Sequence, residues 1–272
     1  MPELPEVETT LRGISPHVLG QRIAEVIVRR FDLRQPIPSD LAEIEGLEIT
    51  SVSRRSKYLL VQLSDGSHLL IHLGMSGSLR LTDTAEAWKK HDHVALTLGA
   101  GKQLRFHDPR RFGIFLHLKE KDPTQHPLLA LLGPEPFDEA FSANYLMQAI
   151  QQRSAAIKNV IMDAKVVVGV GNIYASEALF RAGISPRRKA NRLRLLDAER
   201  LASSIQEVLR EAIDQGGTTL RDFLNSDGQP GYFKQRLFVY DRKGQPCRTC
   251  DETIRHCVIG QRSSYWCPRC QK

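Results

Sequence analysis

Long apolar runs are missing from this sequence. The longest, such as 128–132 and 166–168, fall far short of the roughly 20 apolar residues that a helix needs to cross a bilayer, which excludes a membrane-spanning chain. The acidic, proline-containing N-terminus has neither a basic segment nor an apolar one, so we expect no secretory signal and a cytoplasmic location. Internal repeats and low-complexity tracts are also missing, and 41% hydrophobic with 25% charged residues is the composition of a globular protein.

Cysteine is scarce and unevenly placed. The chain has 5 cysteines in 272 residues, and four of them form two close pairs near the C-terminus. An odd number grouped in this way does not favour a disulfide framework. The pattern predicts a metal site in a reducing compartment.

Acidic residues are outnumbered. The chain has 38 Lys and Arg against 31 Asp and Glu, a formal net charge of +7, and eight of the basic residues against three acidic ones lie in 236–272. A basic C-terminal segment favours a phosphate backbone as partner, so nucleic acid is the leading class. A solvated basic tail without a partner is the alternative.

The first half of the chain has the period of two that is typical of strands. Apolar residues alternate in 94–98 and continue at Leu104 and Phe106 after a Gly-Ala-Gly turn, which predicts a hairpin. A second hairpin is predicted between 58–63 and 68–73. A short helix should precede them, with Pro5 at its start and Gly13 at its end. The first half is therefore expected to be an antiparallel sandwich or barrel.

The second half has a helical pattern, beginning after the break in periodicity at 132–136. One helix is predicted after an N-cap at Asp197, ending at Gly216 and Gly217. Another follows Gly169-Val170-Gly171 with Asn172 as its cap, an end that suits either a phosphate or a plain structural cap. A dinucleotide-binding fingerprint is excluded there, because the third glycine position holds Tyr174. The predicted domains are 1–132, 133–235 and 236–272.

The two cysteine pairs have the spacing of a zinc site. Two Cys-x2-Cys knuckles can close a tetrahedral four-sulfur shell, which leaves no open position for water and makes the metal structural. A rubredoxin-like iron site and a redox dithiol are the alternatives, and Cys257 lies outside the pattern. The predicted ligands of one Zn²⁺ are Cys247, Cys250, Cys267 and Cys270.

Three further segments carry residues suited to nucleic acid. Arg262 lies between the two cysteine pairs, so a hairpin held by zinc would fix its position, and a rigidly placed arginine is suited to binding phosphate. The alternative is that Arg262 is one more solvated charge. A turn places Arg110 beside Phe112, and Met75 follows a strand between two glycines. An arginine beside apolar side chains on loops is suited to opening a base step, although a lone Phe or Met is usually core.

Pro2 has distinctive chemistry if Met1 is removed. An α-amine has a pKa of about 7.7 to 8.0, so roughly a tenth is free base at pH 7. A secondary amine that attacks a sugar C1′ forms an iminium ion, which acidifies the C2′ proton, and Glu3 stands next to it to move protons. The alternative is an ordinary terminus at which proline starts a helix.

Taken together, these motifs resemble the formamidopyrimidine-DNA glycosylase family over the whole chain. The resemblance rests on seven segments in matching order: 1–9, 57–60, the loop at Met75, 90–93, the turn at Arg110, 170–174 and the four cysteines. It implies an α+β multidomain fold: an N-terminal antiparallel β-sandwich with an N-terminal helix, a helix-two-turn-helix domain and a zinc-finger hairpin. It also implies binding of bent duplex DNA with the damaged purine flipped out.

The resemblance also implies roles for individual residues. Pro2 resembles the Schiff-base nucleophile, Glu3 the acid/base and Lys57 a lysine that assists β-elimination. Arg262 resembles the finger arginine that serves δ-elimination and phosphate binding. By the same resemblance, the residues expected to fill the void left by the flipped base are Met75, Arg110 and Phe112. Those that resemble contacts to the DNA backbone are His91, Arg153, Lys158 and Asn172.

The expected activity is excision of oxidised purines followed by β,δ-elimination, with zinc as the one metal, by a monomer associated with the bacterial nucleoid. The alternatives are an endonuclease VIII-like enzyme for oxidised pyrimidines and a non-catalytic zinc-finger protein that binds damaged DNA. The segment 216–234 resembles the loop that closes over the lesion. Arg221 within it stands where well-known members have lysine, which keeps the charge but leaves the lesion contacts open.

Overall fold

The computed structural model describes residues 2–217 and 237–272, which belong to two compact units. The sheet unit comprises Met1–Ala130 and Gln215–Tyr232, and the helical unit comprises Leu131–Asp214 and Phe233–Lys272. The domain boundaries predicted after 132 and 235 stay predictions. In the described parts of the chain, no helix is long and apolar enough to cross a membrane.

The N-terminal helix α1 extends further than its sequence signals indicate. It runs over Leu4–Val18, so the predicted end at Gly13 is wrong. The helix continues because Ile14 and Val18 lie on the same buried stripe as Val7. Burial of two large side chains outweighs the roughly 1 kcal/mol that a glycine inside a helix costs.

The strands in the described part of this unit form two antiparallel four-stranded sheets. Both predicted hairpins are confirmed: β3 (Tyr58–Leu63) pairs with β4 (His68–His72), and β6 (Asp92–Thr97) pairs with β7 (Lys102–His107). The first sheet has the order β1 (Glu25–Val28), β6 (Asp92–Thr97), β7 (Lys102–His107), β5 (Ser78–Asp83). The second has the order β2 (Ile49–Arg55), β3 (Tyr58–Leu63), β4 (His68–His72), β8 (Ile114–Leu118).

One hydrophobic core joins the two sheets and α1. Leu59 and Ile71 of the second sheet lie in the same buried cluster as Leu96 and Phe106 of the first. Side chains from two sheet faces that share one core define a sandwich. The predicted antiparallel β-sandwich with an N-terminal helix is confirmed.

Four α-helices lie in the described residues of the helical unit, 131–214 and 237–272. They are α2 (Ala143–Ile150), α3 (Ile157–Ile161), α4 (Asn172–Arg181) and α5 (Leu195–Asp214). The predicted N-cap of α5 at Asp197 is wrong, because the helix begins two residues earlier. Asp197 instead accepts a hydrogen bond from the Arg194 backbone N–H at 3.0 Å, so its carboxylate serves the helix start from inside the first turn.

The C-terminal end of this unit is a small hairpin module. Strands β9 (Arg255–Ile259) and β10 (Arg262–Trp266) pair antiparallel across a turn at Gly260 and Gln261. A separate apolar cluster supports the hairpin, and its buried members are Val239, Cys247, Ile254 and Cys267. The expected zinc-finger hairpin is therefore present.

Candidate functional site

In the sheet unit, the residues predicted to carry the chemistry begin the chain. Pro2 and Glu3 immediately precede α1, and both are buried. The backbone N–H of Glu3 donates to the Glu6 carboxylate at 2.8 Å. Glu6 also packs against Gly217: a Cβ added to Gly217 would lie 3.2 Å from the Glu6 Oε1. Glu6 therefore fixes the backbone that carries Pro2 and Glu3.

Lys57 stands on the turn between β2 and β3. The Arg54 guanidinium, which donates to Glu8 at 3.0 Å and to the Ser56 carbonyl at 2.8 Å, ties this turn to α1. The turn itself requires a positive φ of 58° at Ser56. Lys57 is thus held by the same helix that holds the N-terminus.

His72 is a neighbour of Lys57 that the sequence did not single out. Burial, and then the charges of Lys57 and Arg34, lower the pKa of His72 to about 4. Its Nδ1 accepts the Gly74 backbone N–H at 2.9 Å, so the neutral ring carries its proton on Nε2. His72 is therefore a neutral hydrogen-bond donor beside a lysine. In the sequence, His72 is marked by its position at the end of β4, two residues before Gly74, which does not reveal the charges around it.

The loop with Met75 and the turn with Arg110 and Phe112 are assembled against each other. The Asp108 carboxylate accepts the backbone N–H of Gly113 at 2.7 Å and of Arg110 at 3.3 Å, which closes the turn. The Arg110 guanidinium lies 5.1 Å from the Phe112 ring centroid, and 43% of Phe112 is exposed. Gly74, next to Met75, packs against Phe112 and Gly113, so the structure brings the two segments together and leaves Phe112 accessible. We call the Met75 loop and the turn 108–113 the wedge loops, the second of them the wedge turn, and their predicted inserting side chains the wedge.

His91 lies on a loop that a buried carboxylate holds. Asp92 accepts hydrogen bonds from Arg80 at 2.7 Å, His107 at 2.8 Å and the Lys89 backbone N–H at 2.9 Å. Burial alone would raise the pKa of Asp92, but these donors outweigh it and keep the pKa well below its usual range. Asp92 is a supporting residue that the sequence reasoning missed, because its partners come from β5 and β7.

In the helical unit, the start of α4 differs from the prediction. Gly171 is the N-cap and Asn172 is the first helical residue, so Asn172 as a cap is wrong. The Asn172 Oδ1 instead accepts from the Lys158 ammonium at 2.6 Å. The Asn172 side chain binds Lys158 instead of capping the helix, because the buried Lys158 ammonium needs several hydrogen-bond acceptors.

Lys158 links three elements of this unit. Besides Asn172, its Nζ donates to the Ser263 carbonyl at 2.8 Å and to the Ser264 Oγ at 2.7 Å, and the residue is fully buried. Both serines follow Arg262 on β10. The ammonium therefore ties α3 and the start of α4 to the strand that carries Arg262.

Arg262 and Arg153 are placed differently. Arg262 is exposed at the start of β10, next to a turn that packs on α3 so closely that a Cβ on Gly260 would overlap the Asn159 side chain. Arg153 is half-buried and pairs with Asp163 at 2.7 Å. Arg262 thus stands on a strand next to a closely packed turn with its side chain exposed, whereas Arg153 already has a carboxylate partner.

The four predicted zinc ligands come together. Their sulfur atoms all lie within 4.8 Å of one another, with Sγ–Sγ distances such as 3.4 Å for Cys250–Cys267 and 3.9 Å for Cys247–Cys270. A tetrahedral zinc with Zn–S bonds of about 2.3 Å requires sulfurs about 3.8 Å apart. The set fits one structural Zn²⁺, and Cys257 is outside it.

Family models match most of the chain. The formamidopyrimidine-DNA glycosylase N-terminal domain matches residues 1–115, the H2TH domain of that glycosylase matches 132–224, and a zinc finger found in FPG and IleRS matches 244–272. The chain belongs to the formamidopyrimidine-DNA glycosylase family. The family resemblance of the sequence is thereby confirmed.

Full-length relatives agree with this family assignment. The formamidopyrimidine-DNA glycosylases of Methylococcus capsulatus and Xanthomonas axonopodis pv. citri are 56% and 54% identical, each over 100% of both chains. The crystal structure of Thermus thermophilus MutM (Fpg) matches with a TM-score of 0.90 and 42% identity, covering 99% of this chain and 98% of that one. A Lactococcus lactis Fpg variant in complex with Fapy-dG-containing DNA matches with a TM-score of 0.93 and 31% identity, covering 100% of both chains.

Within the glycosylase fold, the predicted site residues fall into two groups. The sheet unit carries Pro2, Glu3, Lys57, Met75, His91, Arg110 and Phe112, and the helical unit carries Arg153, Lys158, Asn172, Arg262 and the four cysteines. The catalytic and DNA-contact roles stay predictions. The segment likened to a lesion-closing loop, 216–234 with Arg221, lies outside the described residues beyond Gly217.

Proposed function

We propose that this chain is a bifunctional DNA repair glycosylase that removes oxidised purines, 8-oxoguanine and formamidopyrimidines, from duplex DNA and then cleaves the abasic strand. The observation that carries the proposal is that the sheet unit combines a Pro2-Glu3 terminus fixed by Glu6 with a close contact between the Met75 loop and the turn of Arg110 and Phe112. A protein that only binds damage needs the wedge but has no use for a nucleophile. The Lactococcus lactis relatives bound to Fapy-dG DNA and to abasic-site DNA support the same substrate class.

Base excision begins at Pro2 once Met1 has been removed, because a retained Met1 would make the Pro2 nitrogen an amide. The free amine bonds to C1′ while the glycosidic bond breaks, and the amine proton goes to the departing purine. Glu3 supplies a proton to O4′ as the sugar ring opens, which leaves an iminium ion between Pro2 and C1′.

Strand cleavage follows from the positive charge of this iminium. The charge acidifies the C2′ proton, which the Glu3 carboxylate removes as the 3′ phosphate leaves. A second elimination releases the 5′ phosphate. We assign Lys57 to the first elimination and Arg262 to the second, where its guanidinium stabilises the phosphate that departs.

Duplex binding involves both units. We assign Met75, Arg110 and Phe112 to the space left by the flipped purine, and His91, Arg153 and Asn172 to backbone phosphates. Lys158 was assigned to the same set. The Lys158 ammonium already donates to three oxygens. We therefore propose that Lys158 supports phosphate binding by positioning Asn172 and the zinc-finger hairpin. Zinc supplies no chemistry to the reaction and holds the hairpin that presents Arg262.

Borohydride trapping tests the proposal directly. The chain is incubated with a duplex that carries 8-oxoguanine opposite cytosine, reduced, and analysed by intact mass and by its N-terminal peptide. We expect a covalent adduct at an exposed Pro2. Pro2→Gly should lose most base excision while it keeps substantial duplex binding.

Three results would contradict the proposal. Full activity of the Pro2→Gly variant would rule out the nucleophile. An adduct formed only with oxidised pyrimidines would favour an endonuclease VIII-like enzyme. If the chain binds the 8-oxoguanine duplex and its Pro2 amine is free, but no adduct forms with any oxidised base, the protein binds damaged DNA without cleaving it.

We further propose that the enzyme acts as a monomer on the bacterial nucleoid. Light scattering with and without duplex checks the first point, and a fluorescent fusion that co-localises with DNA in cells checks the second.

A further inference from the structure

The sheet unit has a concave surface from which the proposed function so far uses only His91. A cavity of about 430 Å³ opens between the start of the loop after β1, the loop before β6 and the wedge turn. We call it the basic pocket. Its lining residues are Arg29, Arg30, Lys90, His91, Asp92, His93, Pro109 and Arg111.

Positive charge dominates this basic pocket. Four of its lining residues are arginine or lysine, and the one acidic lining residue, Asp92, has its carboxylate fully buried and paired with Arg80. Burial lowers the pKa of His93, which keeps that ring neutral. The lining residues therefore carry an excess of positive charge, which the neighbouring Asp32 carboxylate balances only in part.

The exposed Asp32 carboxylate shows how Arg30 and Arg111 of the pocket bind an anion. The Asp32 Oδ2 accepts from Arg30 at 3.1 Å and from Arg111 at 2.7 Å, and 63% of the Asp32 side chain is exposed. Two guanidinium groups thus already converge on one oxygen. A phosphate offers more oxygens in the same geometry and is favoured by paired arginines.

Arg29 is fixed inside the same pocket. Its guanidinium lies 4.9 Å from the Trp88 ring centroid and donates to the Lys89 carbonyl at 3.2 Å. A side chain held in place loses little conformational entropy when a ligand binds.

The wedge turn contributes directly to the pocket. Arg111 adopts a positive φ of 57°, which is uncommon for a residue with a side chain. Its guanidinium pairs with Asp32, whereas that of the preceding Arg110 stacks on Phe112. One turn therefore serves two surfaces, with Arg110 and Phe112 on the wedge and Arg111 in the basic pocket.

We propose that the basic pocket binds a backbone phosphate of the duplex beside the base step that the wedge opens. The inference rests on the proposed function and extends its DNA contacts to Arg29, Arg30, Lys90 and Arg111. A phosphate fixed there holds the DNA backbone while the wedge enters the stack. Free inorganic phosphate has the same chemistry and is the other source that the experiment separates.

Salt dependence of duplex binding tests the pocket. Affinity for a duplex with a stable abasic-site analogue is measured against salt for the unaltered chain, for an Arg30→Ala and Arg111→Ala double variant, and for Arg22→Ala. Arg22 is an exposed arginine of the same unit outside the pocket. Loss of one phosphate contact should reduce the slope of log K against log salt by about 0.9, which is about a fivefold weaker Kd at 0.15 M salt.

The controls fix the interpretation. Arg22→Ala should keep the unaltered slope, and Asp32→Asn should tighten binding because it removes an anion from the pocket arginines. Unfolding midpoints of all variants should agree, since each altered side chain is exposed. If the slope of log K against log salt is unchanged in the double variant while the unaltered chain binds duplex normally, the pocket does not bind a DNA phosphate. The proposed function is not affected by that result.

Two other outcomes are also decisive. If inorganic phosphate raises the unfolding midpoint of the unaltered chain but not of the double variant, while the duplex slope is unchanged, the pocket is a free-phosphate site and the DNA contact is overturned. If the unaltered chain does not bind the abasic-analogue duplex at all, the proposed function itself fails.

Discussion

Gly74 and Gly113 contact each other backbone to backbone, and this contact joins the two wedge loops. A Cβ on Gly74 would lie 2.6 Å from the Gly113 nitrogen, closer than real Cβ contacts come. Met75 follows the first glycine, and Phe112 precedes the second. The spacing between the wedge side chains is therefore set by two residues that have no side chain.

Gly74→Ala should destabilise the sheet unit and weaken binding to lesion-containing duplex. The new Cβ would meet backbone atoms that cannot move aside, which costs about 1–3 kcal/mol beyond the strain of a positive φ. Gly20→Ala is a matched control, because Gly20 has φ 72° and open space around its Cβ position. Urea unfolding and anisotropy measure both effects, and equal losses in the two variants would contradict the contact.

Asp92→Asn should lower the free energy of unfolding by about 3–5 kcal/mol near pH 7, because Arg80 loses its buried counter-ion. The folded pKa of Asp92 lies below that of an unfolded carboxyl, so the carboxylate stabilises the fold above about pH 3.9 and less as the pH falls below it. The deficit of the variant should therefore shrink towards low pH. Trp88 fluorescence in a Trp266→Phe background reports on this unit.

Asp83→Asn is the control for that experiment. Asp83 also pairs with a cation, Lys102 at 2.7 Å, but 69% of its side chain is exposed. Its loss should cost less than about 1 kcal/mol. A deficit for Asp92→Asn that is no larger than this, or that does not change with pH, would show that the buried carboxylate does not hold the His91 loop.

His72 should stay neutral far below the usual range of histidine. Its folded pKa is lowered from 6.5 to about 4, so its neutral form stabilises the fold above pH 6.5, and that contribution is lost as the pH falls towards 4. Imidazole ¹⁵N spectra should show the proton on Nε2 near pH 7.

Lys57→Met should raise the pKa of His72, because it removes a neighbouring positive charge. Lys121→Met, an exposed lysine of the same unit, should leave it unchanged. Equal titration curves in the two variants would show that Lys57 does not act on the ring.

The chain should contain one zinc per molecule, and Cys250→Ser should lower the metal content and duplex affinity together. Three sulfurs leave the shell open, so the hairpin that carries Arg262 loses its support. Cys257→Ser removes a thiol outside the set and should change neither quantity. Metal analysis with anisotropy checks both, and full duplex binding by a metal-free variant would contradict the role of the finger.

Local signals predicted much of this molecule. Alternating side chains and glycine turns gave both hairpins, and the cysteine spacing gave the metal shell. The errors are at helix ends. Helix α1 passes Gly13 because Ile14 and Val18 are buried, α4 begins at Asn172, one residue earlier than predicted, and α5 begins at Leu195, before its expected cap Asp197. His72, Asp92 and the contact between Gly74 and Gly113 could not be predicted, because they depend on neighbours from other strands.

The wedge separates the residues that keep its shape from those that face outward. Gly74, Asp108 and Gly113 maintain the loops, whereas Met75, Arg110 and Phe112 leave at least part of their surface accessible. We therefore expect substitutions at 75, 110 and 112 to change how the space assigned to them beside a flipped purine is filled, while the loops beneath keep their shape.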